Sequence, residues 1–418
     1  MGKIADQYLQ TNPWYIIEDD FNPSRSRVSE SIFSLGNEYM GVRGYFEEGF
    51  NGQALIGSYF NGLYEETEIK HPALYKGFPT ITRDLTNSVD WLYIRILLDD
   101  ESLDLSQSTY SNFHRKLDLR TGTLSREFVW QTVTGKRLKI TFLRFVSMVS
   151  PHLGCQQVSF EPLNFSGTIQ VTTGLDFSPH ADWFTASNWT CPRMEQNGDI
   201  LAILGKTNRS NRYLFSSYRL DCNDSTENCV VKAEKFIGFE SKVHLKQGKT
   251  TLMTRIAVNY AGVGANTSGA EQNPRLKPET VWSRGMELAD GHRKTQFETA
   301  LAEHSRYWEN VWNQLDVTIE GDNENQQGIR FCIFQLHQTY HGVDPALNIG
   351  AKGLTGEAYG GKAFWDTEAY CLQFYMFNNP RAARNLLEYR YQLLPKAVER
   401  ARQLDCEGAC YPISSIDG

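Results

Sequence analysis

The chain contains no apolar stretch of membrane-spanning length, and its first residues, Met1 to Asp6, lead into polar sequence without the apolar core of a secretion signal. Asp6 stands where a myristoylation signal has Ser or Thr. The eight cysteines, at positions 155, 191, 222, 229, 332, 371, 406 and 410, form no Cys-x-x-Cys pair, which argues against a zinc knuckle and a dithiol redox centre. Positive charge is not in excess: 42 Lys and Arg against 49 Asp and Glu give a net charge of -7, and no segment concentrates the basic residues. A nucleic-acid backbone or an anionic membrane surface is therefore not an expected partner. There is no internal repeat and no low-complexity tract. These absences predict a reduced, cytoplasmic protein, and they leave the Asn-x-Ser/Thr matches at Asn164, Asn188, Asn208, Asn223 and Asn266 as chance occurrences.

What is present is a composition able to bury a large core. Hydrophobic residues are 40% and charged residues 22% of 418 residues, a length that accommodates about two to four domains. Aromatic residues reach 12%, which suits a β-rich core and sugar-stacking surfaces equally.

From about residue 28 to 262 short apolar or alternating runs are separated by Gly, Asn, Asp and Ser, as in the runs 91–98, 138–146 and 168–173, a texture that predicts a β-sandwich. The stretch from Gly262 to Pro278 reads as a linker. Residues 279–312 are helical in pattern and close on Trp308 and Trp312, and a short strand is expected from Leu315 to Ile319. A stripe of Ile329, Ile333, Leu336 and Tyr340 predicts a packed helix over 323–340. A glycine-rich loop (Gly350, Gly353, Gly356, Gly360, Gly361) precedes a second helix with the stripe Trp365, Ala369, Leu372 and Met376, stopped by Asn379-Pro380. Pro380 opens a third helix running to about Leu394, and Pro395 a fourth.

Three motifs carry chemical suggestions. The segment from Gly356 to Lys362 fits part of a phosphate-binding loop, but Ala363 replaces the hydroxyl that would ligate magnesium, and the loop follows a helix rather than a strand. His337 and His341 have a zinc-compatible spacing, yet Gln338 stands where a metalloprotease has its glutamate and no third ligand is evident. The segment Phe364-Trp-Asp-Thr-Glu368 sets an indole beside carboxylates at the start of a helix. The ring can stack on a sugar while the acids accept from its hydroxyls, although acids in a first turn also simply suit the helix dipole.

Five segments in order, Ser34 to Gly44 (SLGNEYMGVRG), Leu117 to Leu124 (LDLRTGTL), Pro162 to Gly167 (PLNFSG), Gln326 to Phe331 (QQGIRF) and Gly360 to Glu368 (GGKAFWDTE), resemble glycoside hydrolase family 65, the α-glucoside phosphorylases acting on maltose, kojibiose, trehalose or nigerose. The resemblance implies a multidomain β plus α chain: an N-terminal β super-sandwich over residues 1–270, a helical linker over 271–320, and the first part of an (α/α)6-barrel catalytic domain over 321–418. Twelve helices make such a barrel, whereas roughly 100 residues hold only about four to six, so the barrel is expected to be incomplete.

The resemblance further implies inverting phosphorolysis, in which a carboxylic acid protonates the glycosidic oxygen while inorganic phosphate, the co-substrate, attacks C1 from the opposite face. By residue match, Trp365 and Asp366 hold the non-reducing glucose, and Phe364, Gly360 and Gly361 shape the wall. The Glu that serves the family as general acid belongs to a Gly-Pro-(Asp/Asn)-Glu-Tyr segment that this sequence lacks, and the phosphate-cradling residues lie later still. Catalytic residues are therefore expected beyond Gly418, and this chain alone is expected to be inactive. Glu357 and Glu368 are the acids that could stand in, though the family pattern gives neither that role. The expected partners are an α-glucosyl disaccharide and phosphate, with neither metal nor cofactor, and a homodimer when intact. Two other readings stay open: an inverting hydrolase of the same family, and a non-catalytic carbohydrate-binding or scaffold protein.

Overall fold

A computed structural model describes residues 7–69, 76–180, 186–224, 226–262 and 276–416. Most of the expected linker, the first six residues and Asn266 lie outside them. The alternating runs form two antiparallel sheets. The larger has nine strands in the order Tyr15–Glu18, Thr109–Asp118, Thr123–Gln131, Arg137–Val146, Leu153–Pro162, Thr251–Ala261, Tyr213–Cys222, Ile200–Thr207 and Trp189–Asn197. The smaller has five: Thr226–Ala233, Phe236–Leu245, Gly167–Asp176, Ile94–Leu98 and Glu101–Ser102. Side chains two apart share a face of a strand, so Leu138, Ile140 and Phe142 all point inward. There they share one core with Ile96, Ile169, Val171 and Val243 of the smaller sheet. The aromatic wealth is largely spent here, with Trp91, Trp130 and Trp189 fully buried.

The chain continues as helices. A short one, α1 (Ser26–Ile32), lies within the sheet-rich part. The second, α2 (Pro278–Gly291), lays Val281 and Trp282 on the outer face of the large sheet against Phe145 and Phe215. The next, α3 (Phe297–Leu315), carries Trp308 and Trp312 inward. The expected strand from Leu315 to Ile319 is absent: α3 runs through Leu315, and residues 316–319 form no strand. Side chains satisfy that backbone instead, since Gln326 accepts from the Ile319 N–H at 2.6 Å and donates to the Val317 carbonyl at 2.8 Å.

Asp322 caps α4 (Asn323–Thr339) by accepting from the Asn325 N–H at 3.0 Å. Beyond the glycine-rich loop, Thr367–Cys371 form a wide π turn that leads into α5 (Leu372–Asn378), followed by α6 (Pro380–Gln392) and α7 (Leu394–Gln403). The stripe expected on the second of these helical segments is not its buried side. Thr367 and Tyr375 face inward, whereas Trp365, Ala369 and Met376 are exposed, because the π turn adds a residue and rotates the register.

The sheet-rich and helical parts are joined by the sequence motifs themselves. The Gly36 N–H donates to Gln338 Oε1 at 2.9 Å and the Glu38 N–H to the Gln338 carbonyl at 2.7 Å. Glu38 is buried with φ at 68°, and its carboxylate accepts from the backbone N–H groups of His341 (2.7 Å) and Val343 (3.0 Å). Asn37 donates to the carbonyls of Ser147 and Pro151, fixing the same loop from the sheet side. Lower down, Trp308 rests on the hairpin at Gly122, and Trp312 Nε1 donates to the Leu119 carbonyl at 2.7 Å.

Candidate functional site

The segment carrying the expected site residues is held by a two-stranded ribbon in which Ala363 pairs with Ser415 and Phe364 with Ser414. Just before it, Tyr359, Gly360 and Gly361 all adopt positive φ, near 63°, 62° and 66°. At Gly360 a Cβ would fall 2.0 Å from Asp84 Oδ1, so only glycine fits there. Lys362 is ion-paired with that same Asp84, from the hairpin formed by Tyr64–Glu68 and Ile81–Leu85. The lysine of the phosphate-loop-like segment is thus neutralised by a carboxylate.

Past the ribbon, Trp365 is the only exposed tryptophan among the described ones, at 41%. Its Nε1 donates to the Pro412 carbonyl at 3.1 Å, Tyr411 meets it edge-on at 5.7 Å, and the Arg390 guanidinium lies 4.4 Å from its ring centre. The indole is therefore fixed in orientation while presenting apolar surface outward, the arrangement needed to stack on a sugar ring. Asp366, beside it, occupies the N-cap position of the helical segment without capping it, and its carboxylate is exposed. Phe364 is half-buried, and Tyr359 meets it edge-on at 5.4 Å.

Neither candidate stand-in acid is placed to give up a proton. Glu368 receives both arms of Arg390, at 2.7 and 2.9 Å, which occupies the carboxylate as an ion pair. Glu357 is buried and accepts from the Tyr59 hydroxyl at 2.5 Å. Burial, and then the charge of Glu357, push the Tyr59 phenol far above its usual range.

Phe364, Trp365 and Asp366 thus follow one another along the ribbon and into the helix. Gly361 points elsewhere: together with Ala363 it lines a cavity of about 490 Å³ between the sheet-rich part and the helices. Sequence reasoning missed Arg390, which donates to the Phe364 carbonyl, pairs with Glu368 and underlies Trp365. Its position in α6 has no local signature, because its partners lie more than twenty residues away.

The histidine pair is structural. The rings of His337 and His341 stack at 5.4 Å, His337 Nε2 pairs with the Tyr307 hydroxyl at 3.0 Å, and burial reinforced by His341 pulls the His337 pKa down to about 3. Among the described residues no group of three or more His, Cys, Asp or Glu is arranged to hold a metal ion, and no helix is long and apolar enough to cross a membrane.

Comparison with known proteins covers nearly the whole chain. Residues 16–311 match the model of the glycosyl hydrolase family 65 N-terminal domain, and residues 330–418 that of the family 65 central catalytic domain. An α,α-trehalose phosphorylase of Thermoanaerobacter brockii is 31% identical, over 97% of this chain and 53% of its own length. A kojibiose phosphorylase of Halothermothrix orenii is 29% identical, over 97% of this chain and 50% of its own. A solved structure described as a putative kojibiose phosphorylase from human microbiome superposes on all of this chain and 53% of its own with a TM-score of 0.91 at 36% identity. The chain spans about half the length of the relatives it matches. By the extent of these matches, the chain belongs to glycosyl hydrolase family 65.

Proposed function

We propose that the protein is an α-glucoside phosphorylase in its intact form, and that these residues supply the glucose-holding half of its active site. The observation that carries the reading is the orientation of Trp365, with Asp366 beside it, at the head of a helical segment. The phosphorylases among its relatives add support. The indole face meets the apolar face of the non-reducing glucose, and the Asp366 carboxylate accepts hydrogen bonds from its hydroxyls. Glu368 fixes Arg390, and Arg390 steadies the indole from below.

The reaction is the inverting phosphorolysis of a disaccharide such as maltose or kojibiose. A phosphate oxygen forms a bond to C1 as the glycosidic bond breaks. A carboxylic acid outside these residues delivers its proton to the departing oxygen, giving β-glucose 1-phosphate and the free acceptor. Phosphate is the only co-substrate, and no cofactor takes part. The sheet-rich part is a super-sandwich over 1–270, joined by a helical linker over 271–320 to the opening helices of an (α/α)6 barrel over 321–418. In support of an incomplete barrel, Phe377 on α5 and Tyr391 on α6 stand exposed, at 83% and 69%. The intact enzyme is cytoplasmic and dimeric. Proton NMR of the sugar phosphate released from each α-glucosyl disaccharide by the full-length gene product tests the stereochemistry: the β anomer is expected, and the α anomer contradicts the mechanism.

A further inference from the structure

Neither Trp365 nor Asp366 lines the cavity behind the ribbon. Residues directly opposed in an antiparallel pair share a face, and their neighbours take the other. Ala363 and its partner Ser415 both line the cavity, whereas Phe364 and its partner Ser414 do not. At about 490 Å³ the cavity is within the range of small-molecule sites, roughly 300–1,000 Å³.

Its walls combine two kinds of surface. On the sheet side Tyr39, His152 and Tyr260 form a continuous aromatic wall, with Tyr39 and His152 at 4.5 Å and His152 and Tyr260 at 5.7 Å. On the helical side two polar groups are buried and unmatched. Asn348, 9% exposed, accepts from the Ile349 N–H with its Oδ1, but its Nδ2 has no hydrogen-bond partner. The Ser415 hydroxyl, on a residue 7% exposed, also has none. Buried donors and acceptors are ordinarily paired, so two unpaired groups on residues that line one cavity are groups that a side-chain rotation brings to a ligand's polar atoms. Charge does not select an ion: Glu66 is paired with Arg83 at 3.1 Å, and both signs occur around the wall. Aromatic surface opposite neutral hydroxyl and amide groups is the chemistry that recognises a polyol with one apolar face.

We propose that this cavity is a second carbohydrate site, which takes a small neutral mono- or disaccharide and is distinct from the face presented by Trp365 and Asp366. It does not rest on the phosphorylase reading, since binding here requires no turnover. A sugar bound in it contacts the back of the ribbon that carries Phe364 into Trp365.

The test is calorimetric titration of this chain with glucose, maltose and kojibiose, alone and as the S415A, N348A and W365A variants, with thermal melts to verify folding. Ser415→Ala removes a hydroxyl that makes no hydrogen bond in the fold, so its melt is expected to match the parent while its sugar affinity falls about fivefold, the usual weight of one hydrogen bond. Asn348→Ala is expected to weaken binding similarly, and Trp365→Ala to leave this site's affinity within about twofold. No saturable binding up to tens of millimolar sugar overturns the proposal. So does binding that W365A abolishes, or binding that S415A leaves unchanged.

Discussion

The Glu38 carboxylate lies within 2.7 Å of the His341 N–H, tying the sheet-rich part to the loop that leaves α4. The Glu38 side chain is buried, and the Val343 N–H joins the contact at 3.0 Å. Burial raises the Glu38 pKa, and His341 and the backbone donors oppose that rise. Glu38→Ala leaves these N–H groups without an acceptor and is expected to cost about 2–4 kcal/mol. Glu38→Gln keeps one carbonyl oxygen and is expected to cost less. Urea unfolding of the three proteins checks the order, and an alanine variant as stable as the parent contradicts the clasp.

Gly122 supports the second joint. Its φ is 63°, and a Cβ there would fall 2.1 Å from Trp308 Nε1, with Trp308 itself fully buried. Gly122→Ala combines backbone strain with a clash against a ring that has nowhere to move, so a loss of about 3 kcal/mol or more is expected. Thermal melts of the variant read it directly.

Acid loosens the same region. His304 is 1% exposed, accepts from the Met148 N–H at 3.2 Å through Nδ1 and donates to the Gly122 carbonyl at 3.1 Å through Nε2. Burial pulls its pKa down to about 4 from 6.5, although the Gly122 carbonyl favours the charged form. Below pH 6.5 the unfolded chain takes up a proton that the folded chain refuses. Stability contributed by neutral His304 is therefore full above pH 6.5 and is lost as pH falls to about 4, by about 3 kcal/mol in all. Replacing His304 with Gln, which has no titrating group, is expected to flatten that part of the stability profile. An unchanged slope between pH 6.5 and 4 contradicts the assignment.

Much of the fold was legible because periodicity is local. The alternation of Leu138, Ile140 and Phe142 announced a strand, and Pro380 announced the start of α6. The strand expected at Leu315 to Ile319 failed because its apolar residues have the texture of a short strand, while the decisive partner, Gln326, sits in the following helix. The stripe through Trp365 and Met376 failed because no sequence rule marks a π turn. Of the five family motifs, the first two are joints and the fourth lies in α4 at the interface: Glu38 clasps the loop after α4, Asn37 holds the Glu38 loop to the carbonyls of Ser147 and Pro151, Gly122 seats Trp308, and Arg330 pairs with Asp316 at 2.7 Å. Their spacing identified the family without showing this role, because each acts on a residue far along the chain. Only the segment from Gly360 to Glu368 carries the candidate site.

The central claim about the molecule is that phosphate cleaves a glucoside held by Trp365 and Asp366. Release of glucose 1-phosphate from maltose, kojibiose, nigerose and trehalose in phosphate buffer tests it, with this chain, the full-length gene product and its D366N variant side by side. The full-length protein is expected to release glucose 1-phosphate from at least one sugar. D366N is expected to lose about tenfold or more in kcat/KM with the charged acceptor, and this chain to release none. Sugar phosphate formed by this chain alone, unchanged kinetics in D366N, or cleavage by the full-length protein that yields only free glucose contradicts the account.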